Sequence, residues 1–190
     1  MAVTKGVPPE MIRSTYQCGI RHFGENRVQE TTTKMMHLSD LKPDTTWHMV
    51  GHLQTNKAKM AVELFDIIHS VDSLRLAEVI SRRVERPVQV LLQVNVSGET
   101  SKSGFSVAEV AAALGSISRM ENIKVIGLMT IAPLSDDPEK VRPVFRRLRE
   151  LREELGLKHL SMGMSDDFEV AIEEGATMVR IGRAIFGERR

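Results

Sequence analysis

The feature that most restricts the fold of this chain is a set of near-continuous apolar runs. The two longest are VQVLLQVNV (88–96) and IKVIGLM (123–129). A strand with one solvated face alternates apolar and polar residues, whereas a strand covered on both faces does not need to alternate. Glycine and proline separate these runs from the helical stretches that follow them. The pattern therefore predicts a parallel sheet with helices packed outside it.

Eight such strand segments are predicted, with seven helices between them. The strands span residues 1–5, 21–24, 46–51, 66–71, 87–96, 123–131, 158–161 and 178–181. The helices span residues 10–18, 25–36, 55–64, 73–84, 106–117, 138–155 and 166–173. Eight alternating units predict an α/β protein that folds as a single (β/α)₈ (TIM) barrel domain over residues 1–190. A doubly wound open sheet is the alternative, since periodicity does not show whether a sheet closes.

Composition and charge exclude several classes of partner. Twenty-six Lys+Arg and 25 Asp+Glu leave a formal net charge of +1, so no global field attracts nucleic acid or an anionic membrane. No segment approaches the roughly 18–20 apolar residues of a membrane span, and no basic-then-apolar leader opens the chain. The single cysteine, Cys18, rules out an internal disulfide and favours the reducing cytoplasm. His48 and His52 lie on a strand and a loop rather than on one helix face, so no metal site is predicted.

The carboxyl ends of barrel strands converge on one mouth, where such folds hold their functional residues. Polar residues follow nearly every predicted strand, and Lys5 is the most informative of them. It comes directly after Ala2, Val3 and Thr4, which places its ammonium group at the mouth. A lysine there is either paired with a carboxylate or desolvated and nucleophilic. A nucleophilic amine condenses with aldehydes to form a Schiff base.

Two segments near the C-terminus are typical of phosphate-binding loops. Residues 161–169 (SMGMSDDFE) and 180–187 (RIGRAIFG) each combine a strand end, a glycine and a helix start. Backbone N–H groups at helix starts bind anions, and barrels commonly bind phosphate after strands seven and eight. Taken alone, each segment reads more simply as an ordinary turn. Together with a lysine on the adjoining first strand they favour a phosphorylated aldehyde, for which pyridoxal 5′-phosphate (PLP) is the natural candidate.

A set of motifs along the whole chain resembles one known family. The matching stretches are AVTK (2–5), HFGENRVQE (22–30), WHMVGHLQTNK (47–57), HSVDS (69–73), VNVSGETSKSGF (94–105), GLMTI (127–131), LSMGMSDDFE (160–169) and VRIGRAIFGER (179–189). In this combination and order they resemble the YggS/PROSC family of pyridoxal phosphate homeostasis proteins. The resemblance implies a single barrel similar to the barrel domain of bacterial alanine racemase.

The resemblance also implies a role for several residues. Lys5 would hold the PLP aldehyde covalently as an internal aldimine, and Arg180 would face the pyridine nitrogen. Ser161 would bind the phosphate, together with the backbone N–H groups of Gly182 and Arg183. The family often has serine where Thr4 precedes the lysine, a change that should leave the Schiff base intact.

Three further residues are expected around the cofactor. Asn26 would lie near the ring, and His52 and Met129 would line the mouth. An arginine only donates hydrogen bonds, so a pyridine nitrogen that faces Arg180 must stay unprotonated and accept. Such a ring is a poor electron sink, which disfavours carbanion chemistry. Racemases of this fold compensate with a second acid/base group from a separate domain, for which the residues after strand eight leave no room.

The implied function is therefore PLP binding and intracellular PLP homeostasis, by buffering or delivery, without strong turnover. Partners would be PLP, incoming amino acids and PLP-dependent apo-enzymes. A small PLP-dependent racemase or lyase is the main alternative, and a barrel that has lost PLP binding is another. Family members, which are monomeric, carry a further helix before the lysine strand, and this chain lacks it. We expect seven full outer helices and an exposed apolar strip beside strands eight and one, which would favour self-association.

Overall fold

The computed structural model describes residues 1–84, 86–100 and 102–188, and its central feature is one curled parallel sheet. Seven strands follow one another in the order β1-β2-β3-β4-β5-β7-β8, and the short strand β6 pairs with β5. The strands are β1 (Ala2–Val3), β2 (His22–Glu25), β3 (Thr46–Met49), β4 (Ile67–Val71), β5 (Val88–Asn95), β6 (Phe105–Ser106), β7 (Ile123–Met129) and β8 (His159–Ser161). Apart from β6, strands that follow one another in the sequence are also neighbours in the sheet, and the strand order does not reverse. A doubly wound sheet reverses its strand order, so that alternative is excluded.

Residues 178–181 close the ring of strands. The N–H of Val3 donates to the carbonyl of Ile181 (2.7 Å), and the N–H of Met162 donates to the carbonyl of Met178 (3.2 Å). These contacts are isolated bridges from Ala2 to Ile181 and from Ser161 to Met178, rather than a continuous ladder. The (β/α)₈ barrel is confirmed, with its eighth position held by bridges. The segment was therefore correctly placed, but it is not a regular strand.

Helices alternate with the strands around the barrel. They are α1 (Pro9–Gln17), α2 (Val28–Leu38), α3 (Ala58–Leu64), α4 (Leu74–Ser81), α5 (Val110–Ile117), α6 (Arg142–Glu154), α7 (Phe168–Glu173) and the single turn α8 (Arg183–Phe186). Helix α6 is amphipathic and buries Phe145, Leu148 and Leu151. Helix α5 starts later than predicted because Phe105–Ser106 pairs with the end of β5 instead. No helix of the described residues is long and apolar enough to cross a membrane.

Two separate sets of apolar side chains fill the fold. The larger set lies between the sheet and the helices, and it includes Phe23, Trp47 and Phe145. The smaller set lies inside the barrel and consists of Ile67, Leu91, Ile126 and Met129. The exposed apolar strip expected beside strands eight and one stays a prediction.

Candidate functional site

Lys5 lies in the turn that follows β1, and hydrogen bonds fix the backbone on both sides of it. The N–H of Thr4 donates to the carbonyl of Gly24 (2.8 Å). The N–H of Gly6 donates to the Glu30 carboxylate (2.5 Å), and its φ of 69° lies in the region that favours glycine. Among the described residues, no carboxylate forms an ion pair with the half-buried Lys5 ammonium. The turn therefore fixes the backbone of Lys5, and its amine has no carboxylate partner among the described residues.

A buried ion pair supports this turn from the side of α2. Lys34 Nζ lies 2.7 Å from Glu25 Oε1 and donates to the carbonyl of Thr4 (2.6 Å). The hydroxyl of Thr4 donates to the same Glu25 oxygen (2.7 Å). Burial raises the pKa of Glu25, although Lys34 and Thr4 act to lower it. The motif analysis missed Lys34, since a lysine within a helical segment carries no signal that it is buried.

One cavity of about 250 Å³ joins the turn of Lys5 to the C-terminal segments. Its lining includes one carboxylate, Asp166, together with Lys5, Asn26, Ser165, Arg180, Gly182 and Arg183. Two further cavities, of about 430 and 310 Å³, have Asn26 and His52 in common. The larger of these two also has Lys5 in common with the first cavity. The expected residues of strands one, two and eight therefore do meet at one mouth.

Arg180 is a buried cation at the floor of this cavity, with 6% of its surface exposed. Its Nη1 donates to Ser161 Oγ (2.7 Å) and its Nη2 donates to the carbonyl of Thr130 (2.8 Å). No carboxylate forms an ion pair with it within the described part of the chain. Burial lowers the pKa of Arg180 to about 10, so the guanidinium stays charged at neutral pH. A buried charge without a counter-ion favours an anionic or hydrogen-bond-accepting ligand beside it.

Ser161, which is expected to bind the phosphate, is not among the residues that line this cavity. Its side chain is fully buried, and its Oγ contacts both Arg180 and the Nδ1 of His69 (2.8 Å). Both contacts are buried, so the hydroxyl of Ser161 already has a donor and a second polar partner within the chain. Ser165, four residues further along the same motif, lines the cavity instead and accepts a hydrogen bond from the N–H of Ala184 (3.2 Å). The SMGMS motif offered two serines, and only the turn geometry separates them.

Gly182 and Arg183 lie where they were expected, at the start of α8. Neither backbone N–H donates to an acceptor in the described residues. The exposed Arg183 side chain forms an ion pair with Asp166, and both residues line the cavity. Two free N–H groups beside Ser165 form a small cluster of donors suited to an anion.

Asn26, His52 and Met129 lie in three different surroundings. The Oδ1 of Asn26 is buried without a partner among the described residues, and Asn26 lines all three cavities. His52 lies at the outer rim, where 60% of its side chain is exposed and its Nδ1 contacts Asp72 (3.1 Å). Met129 is fully buried inside the barrel, so it does not line the mouth. Met49 contributes to the lining of the largest cavity instead.

No cluster of three or more metal-ligating side chains occurs in the described residues. His48, the other half of the spacing noted in the sequence, lies inside the barrel and contacts His22 and His69 rather than His52. His69 was not singled out by the sequence, because a histidine within an apolar strand gives no indication of which face it occupies.

Comparisons with known proteins agree on one family. The model for "Alanine racemase, N-terminal domain" matches residues 1–190. The chain is 50% identical to the pyridoxal phosphate homeostasis protein of Aquifex aeolicus, covering 100% of this chain and 86% of that protein. PipY of Synechococcus elongatus with PLP bound matches with a TM-score of 0.89 and 42% identity, over 98% of this chain and 91% of PipY.

A more distant neighbour shares the fold alone. Alanine racemase from Corynebacterium glutamicum matches with a TM-score of 0.77 and 19% identity, over 100% of this chain and 56% of the racemase. The barrel of a racemase and the barrel of this chain thus have the same architecture. The chain belongs to the alanine racemase N-terminal domain family and, within it, to the pyridoxal phosphate homeostasis proteins.

Proposed function

We propose that this chain binds PLP as a Schiff base on Lys5 and holds or releases it for cellular use. The observation that carries the proposal is the shared cavity of Lys5 and Arg180, in which neither cation has a carboxylate partner among the described residues. A small anionic aldehyde that also accepts hydrogen bonds can react with the Lys5 amine and accept a hydrogen bond from Arg180. PLP has an aldehyde, a phosphate and a ring nitrogen that can accept.

The covalent step would join the Lys5 amine to the PLP aldehyde and release one water. The neutral Nζ attacks the aldehyde carbon, a C–N double bond forms, and the aldehyde oxygen leaves as water. Hydrolysis reverses the step and returns the free amine and aldehyde, while an incoming amino acid can displace Lys5 by the same exchange. Lys5 lies at the rim of open cavities, where water and an amine have access.

The remaining residues fit the rest of the cofactor. Ser165 and the N–H groups of Gly182 and Arg183 supply donors for the phosphate, a role that replaces the one expected of Ser161. Arg180 donates toward the ring nitrogen and keeps it unprotonated, because a guanidinium cannot accept. The buried Oδ1 of Asn26 still needs a donor. We assign the polar groups of PLP to these positions.

A carrier function is favoured over turnover. An unprotonated ring withdraws electrons weakly, so the chemistry that PLP supplies to racemases and transaminases is suppressed beside Arg180. The related proteins at 38–50% identity are named for homeostasis of PLP. We place the function in the cytoplasm, because a chain with one cysteine, Cys18, has no internal disulfide to maintain. PLP-dependent apo-enzymes and free amino acids are the proposed recipients.

Absorbance and mass spectrometry test the covalent link. Purified chain is mixed with PLP, reduced with borohydride and digested, and the modified lysine is identified. We expect a near-stoichiometric adduct on Lys5 that is absent in Lys5→Ala. Lys57→Ala is the matched control, since Lys57 lines the neighbouring cavity and its loss should leave the adduct intact. An adduct in Lys5→Ala at the wild-type level would contradict the proposal.

Proton exchange separates a carrier from an enzyme. The PLP-loaded chain is incubated with D- or L-alanine in deuterated water, and the α-proton is followed by NMR. We expect the absorbance change of amine exchange without loss of the α-proton signal. Rapid exchange of that proton at catalytic protein concentrations would favour a racemase or lyase instead.

A further inference from the structure

A row of hydrogen bonds crosses the barrel interior from the face opposite the mouth to Arg180. His22 Nδ1 lies 3.0 Å from His48 Nε2, and His48 Nδ1 lies 2.9 Å from His69 Nε2. His69 Nδ1 lies 2.8 Å from Ser161 Oγ, which lies 2.7 Å from Arg180 Nη1. His48, His69 and Ser161 are almost fully buried, whereas His22 is exposed. We call this row the histidine chain.

The donors in the histidine chain are assigned from Arg180 inward. The guanidinium of Arg180 can only donate, so Ser161 Oγ accepts from it. Among the described residues, His69 Nδ1 is the acceptor within reach of the buried Ser161 hydroxyl proton, so we assign that proton to the Ser161–His69 hydrogen bond. His69 then carries its proton on Nε2 and donates to His48 Nδ1. By the same reasoning His48 carries its proton on Nε2 and donates to His22. One arginine thus determines the tautomers of two buried histidines.

The electrostatics of the interior agree with neutral rings. Burial lowers the pKa of His48 to about 3, with the neighbouring His22 adding to the effect. Burial also lowers the pKa of His69, and the nearby charge of Arg180 acts in the same direction. At neutral pH each ring therefore has one donor and one acceptor. Every ring nitrogen of the two buried histidines then has a partner within the chain.

We propose that Ser161, His69 and His48 are positioning residues that hold the Arg180 guanidinium at the mouth without neutralising it. A carboxylate behind Arg180 would orient it equally well, but it would cancel the positive field in the cavity. A neutral hydroxyl backed by polarised imidazoles orients the guanidinium and leaves its charge available. The tautomers follow from geometry alone, whereas the benefit to PLP rests on the proposed function.

The first test needs no cofactor and no variant. Nitrogen-15 NMR of histidine-labelled protein at neutral pH distinguishes protonated from unprotonated ring nitrogens. We expect His48 and His69 to be neutral, with the proton on Nε2 in both rings. A proton on Nδ1 of either ring, or a charged ring, would overturn the histidine chain.

The second test compares two buried serines. Ser161→Ala removes the link between Arg180 and His69. Ser70→Ala is the matched control, because Ser70 is also fully buried but its Oγ has no partner among the described residues. We expect the nitrogen-15 chemical shift of His69 Nδ1 to change only in Ser161→Ala, because that nitrogen loses the hydroxyl that donates to it. We also expect the Kd for PLP to rise about tenfold in that variant alone.

The outcomes separate the two proposals. If wild-type protein forms no Lys5 adduct, the proposed function fails, and the tautomers still decide whether the histidine chain exists. If the adduct forms but Ser161→Ala binds PLP as tightly as Ser70→Ala, the positioning role is overturned. A similar weakening of PLP binding in both variants would also overturn it, since a general loss of packing would then explain the effect.

Discussion

The outer face of the barrel sheet packs mainly apolar side chains under the helices, whereas the inner face combines a small apolar cluster with the histidine chain. Phe23 and Trp47 stack on the outer side with ring centroids 5.2 Å apart. On β3 the next residue, His48, points inward and contacts His69. Adjacent residues of one strand thus serve two different purposes. The comparison teaches that most of the apolar packing lies outside the sheet, whereas the inner face also buries hydrogen-bonded polar side chains that reach Arg180.

The largest expected effect comes from the outer layer. Phe145 on α6 is fully buried, so Phe145→Ala should lower the free energy of unfolding by about 3–5 kcal/mol through lost burial and a new cavity. Urea unfolding measures the change. Met36→Ala is the control, since Met36 on α2 is 74% exposed and should change stability by less than about 0.5 kcal/mol. If the folded Phe145 variant also altered the tautomers of His48 or His69, the two faces would not be independent.

This difference between the faces explains which parts of the fold the sequence predicted. The outer layer follows from hydrophobic periodicity, so the barrel and helix α6, with Phe145, Leu148 and Leu151 inward, could be predicted. The eighth strand position was also placed, because Met178, Val179 and Ile181 are apolar and follow a predicted helix. Periodicity specifies which residues are buried, but not the partners that they meet across the barrel.

The candidate site shows the same limit. Lys5, Arg180 and Gly182 were placed at the mouth because they follow strands, and strand ends converge in a barrel. The family resemblance assigned Ser161 to the phosphate and Met129 to the mouth, yet both are the last residue of a strand and are fully buried. A shift of one residue along a strand decides whether a side chain lines the cavity or points into the core. The position of that change depends on the strand register and tilt, which a single sequence does not contain.

Acid should destabilise the inner face in a defined pH window. An unfolded histidine has a pKa near 6.5, and burial lowers the pKa of His48 to about 3 in the folded protein. Between these values the unfolded state binds the proton and the folded state does not. Stability is therefore complete above about pH 6.5 and falls as the pH drops toward 3, by up to about 1.4 kcal/mol per pH unit for this ring.

His48→Gln isolates this contribution. The variant should show a shallower pH dependence of the unfolding free energy below about pH 6.5, by one proton or about 1.4 kcal/mol per pH unit. Urea unfolding at several pH values measures the slope. His37→Gln, which replaces an exposed histidine of α2, controls for the removal of a histidine as such. An unchanged slope in His48→Gln would mean that His48 is protonated in the folded protein.

The smallest expected effect comes from an arginine on the outer surface, which contrasts with Arg180. Arg147 on α6 lies 3.2 Å from Glu150 and 2.9 Å from Glu154, and more than a third of its side chain is exposed. Water and salt screen such pairs, so Arg147→Ala should change the free energy of unfolding by less than about 1 kcal/mol. Urea unfolding at low and high salt measures the effect, and Arg147→Lys retains the charge as a control. Arg147 forms ion pairs with two carboxylates, yet we expect it to contribute little to the free energy of unfolding. Buried Arg180 forms no ion pair in the described residues and is held by hydrogen bonds to neutral groups instead. A loss above about 2 kcal/mol for Arg147→Ala would show that exposed charge pairs stabilise the outer layer as strongly as its apolar packing.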